Sequence, residues 1–144
     1  MVSRGAMNTA LLGVLLDDRL TDLDGEPGRW QARIDDWTLY VFADEHHDRM
    51  RIMVPVAEIG PRDVELLMVA LSANFDRALD AKYAMKDGIL WATFLHRLSW
   101  ITDEEVDDAI EQVLTLAQNT GTTFTSTELV FDGGGLADRA DEMD

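Results

Sequence analysis

The chain contains no cysteine, only three prolines and only three histidines among its 144 residues. Without cysteine it can form no disulfide, no thiolate metal site and no cysteine nucleophile, and its redox compartment stays undetermined. No apolar run approaches the ~20 residues that a membrane-spanning helix needs. The apolar share of 47% is nevertheless ordinary for a globular protein, so the composition predicts a packed core.

Basic residues are also scarce: 12 lysines and arginines stand against 28 acidic residues, a net charge of −16. The excess is concentrated near the C-terminus, where residues 101–144 carry 12 acidic side chains and a single basic one, Arg139. Nucleic acids and anionic membrane surfaces are bound through lysine and arginine, so neither is expected as a partner. A basic protein partner is compatible with this charge, and so is solubility alone.

Arg4 and the apolar residues 10–16 give the N-terminus the outline of a short signal peptide. Asp17 and Asp18 follow at once, however, and no small-residue cleavage motif is present. The segment instead predicts an amphipathic first helix capped by Asn8, and we expect a cytoplasmic protein.

Three strands are predicted after this helix. Residues 29–34 and 49–56 alternate apolar and polar side chains, which is typical of half-buried strands. Residues 37–43 between them are apolar on both faces, which predicts a strand that is covered on both sides. The preceding stretch, residues 21–28, is rich in turn-forming residues and is predicted to be a turn.

A second helix is predicted from the Gly-Pro pair at residues 60–61, because proline favours the first turn of a helix. Residues 64–78 carry apolar side chains at helical spacing, and further apolar residues fill the flanks. A helix that is apolar over most of its circumference must be covered on more than one side. We therefore expect a homodimer that shares this helix. Packing of the first helix there is the alternative.

A β-hairpin is predicted next, because residues 82–86 and 89–98 flank the pair Asp87 and Gly88. Asp-Gly between two strand-like runs is a strong signal for a two-residue hairpin turn.

The last helix begins at a capping box, Thr102 with Glu105, and is predicted to end at residues 119–121. A short strand over residues 122–131 would then complete a single domain of residues 1–131. Residues 132–144 are glycine-rich and acidic and are predicted to be a disordered tail.

The histidines are the first candidates for metal binding or general-base catalysis. His46 and His47 are adjacent, so their side chains point apart on an extended segment, and a solvated turn is expected there. One of them with Asp44 or Asp48 is the weak alternative as a metal site. His96 lies on the apolar side of its predicted strand, with no serine or acid at a recognisable general-base spacing. We expect it to be hydrogen-bonded within or beside the core, so no catalytic, cofactor or metal residue is predicted.

Acidic residues crowd the start of the last helix, without the spacing of a calcium loop. A solvated helical face is the simplest interpretation, and a docking surface for a basic partner is the alternative. The candidate docking residues are Glu104, Asp107, Asp108 and Glu111.

All four tryptophans, Trp30, Trp37, Trp91 and Trp100, lie on or beside predicted strands. Such rings most often belong to the core, although aromatic side chains on a sheet surface can also line a binding groove. An enzyme or small-ligand binder with a pocket near His96 and the tryptophans is therefore the rival hypothesis.

Two stretches resemble a known family. Residues 66–98 hold an apolar helix with Asn74 near its end, a Lys/Tyr strand, an Asp-Gly turn and an aromatic-rich strand. Residues 98–121 hold a threonine cap, an acidic first turn and an amphipathic helix. With the order α-β-β-β-α-β-β-α, they resemble the type III secretion chaperone-like fold, which includes the CesT/Tir chaperones and the YbjN-like regulators.

This resemblance implies an α+β fold in which helices pack against an antiparallel sheet. It further implies a small acidic homodimer without enzymatic activity, whose sheet and apolar grooves hold an extended segment of a partner protein. Because the equivalent helix of secretion chaperones often contributes to dimerisation, the resemblance makes Leu66, Val69 and Ala73 the candidate interface residues. It supplies no catalytic, cofactor or metal residue, and it does not establish that a secretion system is involved.

Overall fold

The computed structural model describes residues 5–76 and 78–126, and for residues 121–126 it describes the backbone alone. Within these residues the helices are α1 (Thr9–Arg19), α2 (Val64–Asp76) and α3 (Asp103–Ser126). The strands are β1 (Asp24–Glu26), β2 (Arg29–Ile34), β3 (Trp37–Asp44), β4 (Arg49–Glu58), β5 (Lys82–Lys86) and β6 (Ile89–His96). The predicted α+β element order is confirmed, and the three-residue β1 is an addition to it.

The six strands form one sheet in the order β1-β2-β3-β4-β6-β5, and every neighbouring pair is antiparallel. The β5–β6 hairpin joins the sheet through β6, which pairs with β4, so β5 lies at the edge of the sheet. Its turn is the predicted one: Asp87 and Gly88 have φ angles of 54° and 76°, as a two-residue hairpin of this type requires. Strand β6 ends at His96, and a 3₁₀ turn, Leu98–Trp100, follows it.

The core lies between one face of the sheet and helices α1 and α3. Leu12 and Leu16 of α1 and Val106 and Val113 of α3 are fully buried against the sheet residues. Leu12 and Leu16 are four residues apart, and Ala109, also buried, lies between Val106 and Val113, so each helix directs one apolar side to the sheet.

Both predicted N-terminal caps form. Asn8 Oδ1 accepts a hydrogen bond from Leu11 N at 2.9 Å at the start of α1. At the start of α3, Thr102 Oγ1 accepts from Glu105 N at 3.1 Å, while Glu105 Oε1 accepts from Thr102 N at 3.0 Å. These bonds satisfy backbone donors that the first turn of a helix leaves unpaired.

Strand β3 differs from the prediction of cover on both sides. Leu39 and Val41 are buried in the core, whereas Tyr40 and Phe42 on the opposite face are only half-buried. Within the described residues, Tyr40 and Phe42 line an open trough made of strand and hairpin residues. The apolar second face of β3 is therefore left uncovered by the helices.

Three other predictions of element boundaries are wrong: the turn over residues 21–28, the start of α2 and the end of α3. Residues 24–26, expected in a turn, pair with β2 although they lack any apolar alternation. Pro61 lies in the turn before α2, which begins at Val64. Asp63 closes that turn through its side chain, which accepts from Gly60 N at 2.8 Å.

Helix α3 continues past residues 119–121, where its end was predicted, to Ser126. The predicted strand is thereby contradicted over residues 122–126, and residues 127–131 and the predicted tail lie outside the described residues. Gly121 lies inside this helix, although a glycine in a helix interior costs about 1 kcal/mol of stability. Burial of Leu116 and Ala117 against the core favours continuation of the helix.

Candidate functional site

The sheet has a second face, opposite α1 and α3, which we call the open face. It presents alternate residues of each strand, and strand register places them in rows across the sheet. One row runs from Tyr40 through Met53 to Thr93 and Lys82. The pairing of β3, β4, β6 and β5 thus gathers side chains that are far apart in the sequence.

The centre of the open face is a trough of about 560 Å³ lined by apolar and aromatic side chains, which we call the aromatic trough. The rings of Tyr40 and Phe42 lie parallel with centroids 6.4 Å apart, and Trp91 meets Tyr40 edge-on at 6.2 Å. Its full lining is Tyr40, Phe42, Arg51, Met53, Ala84, Met85, Lys86, Asp87, Trp91 and Thr93.

Local hydrogen bonds hold the polar atoms of this trough. Trp91 Nε1 donates to the carbonyl oxygen of Lys86 at 3.3 Å, and Arg51 Nη1 donates to Thr93 Oγ1 at 3.2 Å. The indole ring is therefore oriented across the hairpin with its apolar surface left to the trough.

A second trough of about 580 Å³ adjoins the first and shares Phe42 and Arg51 with it. Arg29 and Arg49 also line it, and the Arg29 guanidinium lies 6.0 Å from the centroid of the Phe42 ring. We call it the arginine trough. The open face therefore combines aromatic rings with positive charge.

Helix α2 carries an exposed apolar stripe, the α2 stripe, formed by Val64, Met68, Leu71 and Phe75. Phe75 is 91% exposed, although phenylalanine is usually buried. The spacing of three and four residues places all four side chains on one side of the helix.

The interface candidates expected from the sequence lie elsewhere on α2. Ala73 is 0% exposed in the core of its own chain, so no surface of its side chain is left for a second subunit. Leu66 packs against the core and is half-buried, as is Val69. The spacing of apolar residues identified two sides of the helix, but the side with the small residues Ala70 and Ala73 faces inward.

Asn74 closes part of the free edge of β5. Its Nδ2 donates to the Tyr83 carbonyl oxygen at 3.0 Å, and its Oδ1 accepts from Tyr83 N at 2.7 Å. The side-chain amide thus occupies the place that a neighbouring strand would take at this residue. This gives a structural role to the asparagine that the sequence resemblance singled out.

The four acidic candidate residues on α3 lie in different surroundings. Asp107 accepts from Arg19 Nε at 2.9 Å, so its carboxylate already has a cationic partner. Asp108 and Glu111 line a groove of about 380 Å³ that also contains Leu79, and Glu104 is exposed. Docking of a basic partner at Glu104, Asp107, Asp108 and Glu111 stays a prediction.

The adjacent histidines lie in an exposed turn. His47 Nδ1 lies 2.7 Å from Asp44 Oδ2, and this hydrogen bond is the main cause that lowers the pKa of Asp44. Among the described residues, no group of three or more possible ligands could hold a metal ion.

His96 is half-buried beside the core. Its ring stacks on Phe94 with centroids 5.7 Å apart, and its Nδ1 donates to the Arg97 carbonyl oxygen at 2.9 Å. His96 is not part of the lining of the aromatic trough, which is the described cavity that contains Trp91.

The four tryptophans occupy different places. Trp30 is buried in the core, and Trp37 is half-buried beside it. Trp91 lies on the open face, and Trp100 is exposed, with the Arg97 guanidinium 4.5 Å from its ring centroid. They therefore do not form the common pocket that the small-ligand hypothesis requires.

Sequence reasoning did not single out Tyr40, Phe42 and Met53 as site residues. The available signal was the apolar character of both faces of residues 37–43, which was interpreted as burial.

No helix in the described part of the chain is long and apolar enough to cross a membrane.

No model of a known protein family matches the sequence, and no curated protein sequence matches it significantly. Solved structures do match the fold. For the Yersinia pestis type III secretion chaperone SycH, solved in complex with a stable fragment of YscM2, the identity is 15% and the TM-score 0.57, with 76% of this chain and 96% of that chain covered. The chain has the type III secretion chaperone-like fold.

Two further structures agree with this conclusion. The HopA1–SchA chaperone–effector complex contains a chain that is 16% identical, with a TM-score of 0.55 and coverage of 74% of this chain and 90% of that one. YbjN from E. coli is 18% identical, with a TM-score of 0.59 and coverage of 79% and 91%. At these identities the similarity establishes the fold alone, and it confirms the resemblance seen in the sequence.

Proposed function

We propose that this chaperone-like chain is a non-enzymatic, cytoplasmic protein-binding module that acts as a homodimer and holds an extended segment of a partner protein on the open face. The observation that carries the proposal is the aromatic trough on a sheet face that the described helices leave open. Among structures of the same fold, SchA is described in a chaperone–effector complex and SycH in complex with a fragment of YscM2.

The trough suits an extended peptide because of its spacing. Side chains on one side of an extended chain recur every two residues, or about 6.6 Å. The Tyr40 and Phe42 rings, with centroids 6.4 Å apart, offer apolar contacts at nearly the same interval. Trp91 adds a third ring, and buried aromatic anchors of this kind dominate the energy of many interfaces.

The α2 stripe supports the homodimer. Four large apolar side chains in line on one helix form a contiguous patch, and contiguous apolar patches mark interaction surfaces. A two-fold dimer would bury the stripe against its own copy, because the same surface is used on both subunits. We therefore assign the interface to Val64, Met68, Leu71 and Phe75, flanked by the half-buried Leu66 and Val69.

Trp91→Ala compared with Trp100→Ala tests the peptide site. Peptides are first selected on the wild-type protein from a random library of extended sequences. We expect Trp91→Ala to weaken their binding roughly thirtyfold, the effect of losing an anchor worth about 2 kcal/mol, as measured by fluorescence anisotropy. Trp100→Ala, which removes an exposed indole away from the trough, should bind as the wild type does.

Two outcomes contradict this proposal. The first is that selected peptides bind Trp91→Ala and wild type equally, which would place them elsewhere on the molecule. The second is that no peptide can be selected at all. Circular dichroism of both variants verifies that each retains the fold.

A further inference from the structure

We infer that the segment held on the open face is acidic, with aspartate or glutamate interspersed among apolar residues. This rests on the proposed function and specifies the chemistry of its partner. The inference comes from the charge of the open face, which is opposite in sign to that of the whole molecule.

The strand registers place six basic and four acidic side chains on the open face. The basic ones are Arg29, Arg33, Arg49, Arg51, Lys82 and Lys86. The acidic ones are Asp24, Glu26, Asp44 and Glu58. The face therefore has an excess of two positive charges, whereas the chain as a whole carries a net −16.

Three of the four acidic strand residues lie outside both troughs, whereas Asp44 lines the arginine trough. Asp24 and Glu26 belong to the edge strand β1, and Asp44 and Glu58 are the last residues of their strands. Arg51, in contrast, lines both troughs and pairs across the sheet with Phe42 and Leu95. The two troughs together are lined by four basic side chains, Arg29, Arg49, Arg51 and Lys86, and by three acidic ones, Asp44, Glu45 and Asp87, so they keep a small positive excess.

The central arginines have no anionic partner of their own. Arg29, Arg33 and Arg51 form no ion pair with any carboxylate in the described part of the chain, although the sequence contains 28 acidic residues. Arg29 instead lies over the Phe42 ring, and Arg51 donates to the Thr93 hydroxyl. A guanidinium in such a position can form two parallel hydrogen bonds to an incoming carboxylate.

An apolar segment without charge would cover these arginines and remove their hydration without replacing it, which is costly. A basic segment would add repulsion between like charges. Acidic side chains between the apolar anchors satisfy both requirements of the surface, because the rings take the apolar residues and the arginines take the carboxylates.

Single-stranded nucleic acid is the other polyanion that binds to aromatic and basic sheet surfaces. The phosphate charges of a nucleic acid would continue beyond the trough, where the remainder of the protein is strongly acidic. Electrostatic repulsion acts over about 10 Å at 0.1 M salt, so a long polyanion would be repelled by the surroundings of the face. A peptide whose charges are confined to the trough avoids this repulsion.

Three labelled peptides of about twelve residues test the inference; fully extended, each spans roughly 40 Å. The acidic peptide repeats two apolar residues followed by two glutamates, so that both sides of the extended chain carry both types. In the other two peptides, glutamine or lysine replaces the glutamates. We expect the acidic peptide to bind roughly tenfold more tightly than the glutamine peptide at low salt, and this ratio should fall as salt is added.

Arg51→Gln should weaken binding of the acidic peptide roughly three- to tenfold and leave the glutamine peptide almost unaffected. Arg29→Gln on the neighbouring part of the arginine trough gives an independent test if Arg51→Gln is poorly folded. Arg62→Gln is the matched control, because it makes the same charge change at an exposed residue that lines neither trough.

The outcomes separate this inference from the proposed function. If all three peptides bind equally, or the lysine peptide binds best, the inference is overturned while peptide binding on the open face stands. If none of the three binds while library-selected peptides do, the inference is overturned and the proposed function stands; if no selected peptide binds either, both fail. If a single-stranded DNA of about ten nucleotides binds more tightly than the acidic peptide and responds to Arg51→Gln, the face serves nucleic acid instead.

Discussion

The phenol of Tyr83 joins the edge strand β5 to helix α3. Its Oη donates to the Leu116 carbonyl oxygen at 2.7 Å and accepts from Thr120 Oγ1 at 2.9 Å. Burial raises the pKa of Tyr83 to about 12, and the hydrogen bond from Thr120 opposes this shift. The phenol can donate this hydrogen bond to α3 only while it is protonated.

Tyr83 should make the fold sensitive to alkali. An unfolded tyrosine titrates near 10, so the stabilisation from the folded pKa is fully present below pH 10 and is lost as the pH rises towards 12. The loss amounts to roughly 2 to 3 kcal/mol. We expect urea unfolding to show this loss for the wild type but not for Tyr83→Phe, which lacks the proton and is less stable by about 1 kcal/mol at pH 8. A constant difference between the two proteins from pH 8 to 12 would refute the assignment.

At the scale of elements, the contact between α2 and β5 depends on Asn74. Its amide satisfies both backbone groups of Tyr83 at the sheet edge, and Lys82 Nζ donates to the Asn74 carbonyl oxygen at 3.1 Å. Unpaired backbone groups at an edge strand are costly when partly buried, and they invite pairing with other chains.

Asn74→Ala should expose the Tyr83 amide and destabilise the domain by about 2 kcal/mol, because two hydrogen bonds to part-buried groups are lost. Hydrogen exchange followed by NMR measures the protection of that amide directly. Asn74→Asp is the matched variant: it keeps the acceptor for Tyr83 N but loses the donor to the carbonyl oxygen. Protection of the Tyr83 amide should persist in Asn74→Asp and disappear in Asn74→Ala; equal protection in both would show that the amide is held by something else.

At the scale of the whole molecule, the α2 stripe predicts the oligomeric state. The wild type should have twice the chain mass of 16.1 kDa in light scattering at micromolar concentration. Leu71→Glu should yield the single-chain mass, because each subunit loses about 2 kcal/mol of apolar burial and would bury a charge.

Val14→Glu is a closely matched control, since Val14 on α1 and Leu71 on α2 are each 69% exposed. It should leave the mass of the dimer unchanged. A strictly monomeric wild type, or dissociation by both substitutions alike, would remove the basis for assigning the interface to α2.

Local chemistry in the sequence was sufficient to predict most element types. The Asp-Gly pair specifies its hairpin because both residues accept positive φ, and Asn8 and Thr102 specify helix starts because their side chains pair with nearby backbone donors. Alternation along residues 29–34 and 49–56 likewise specifies strands. These signals act over a few residues, so they do not depend on the rest of the fold.

The tertiary structure alone decided which surfaces are covered. Periodicity shows that α2 has two apolar sides and that β3 has two apolar faces, but it does not say which of them meets the core. That choice depends on contacts with distant elements: Ala70 and Ala73 are the residues of α2 that are buried in the core, and α1 and α3 both lie on the same face of the sheet. Phe75, Tyr40 and Phe42 were therefore recognisable as apolar from the sequence, while their availability to a second subunit or a partner was settled by packing.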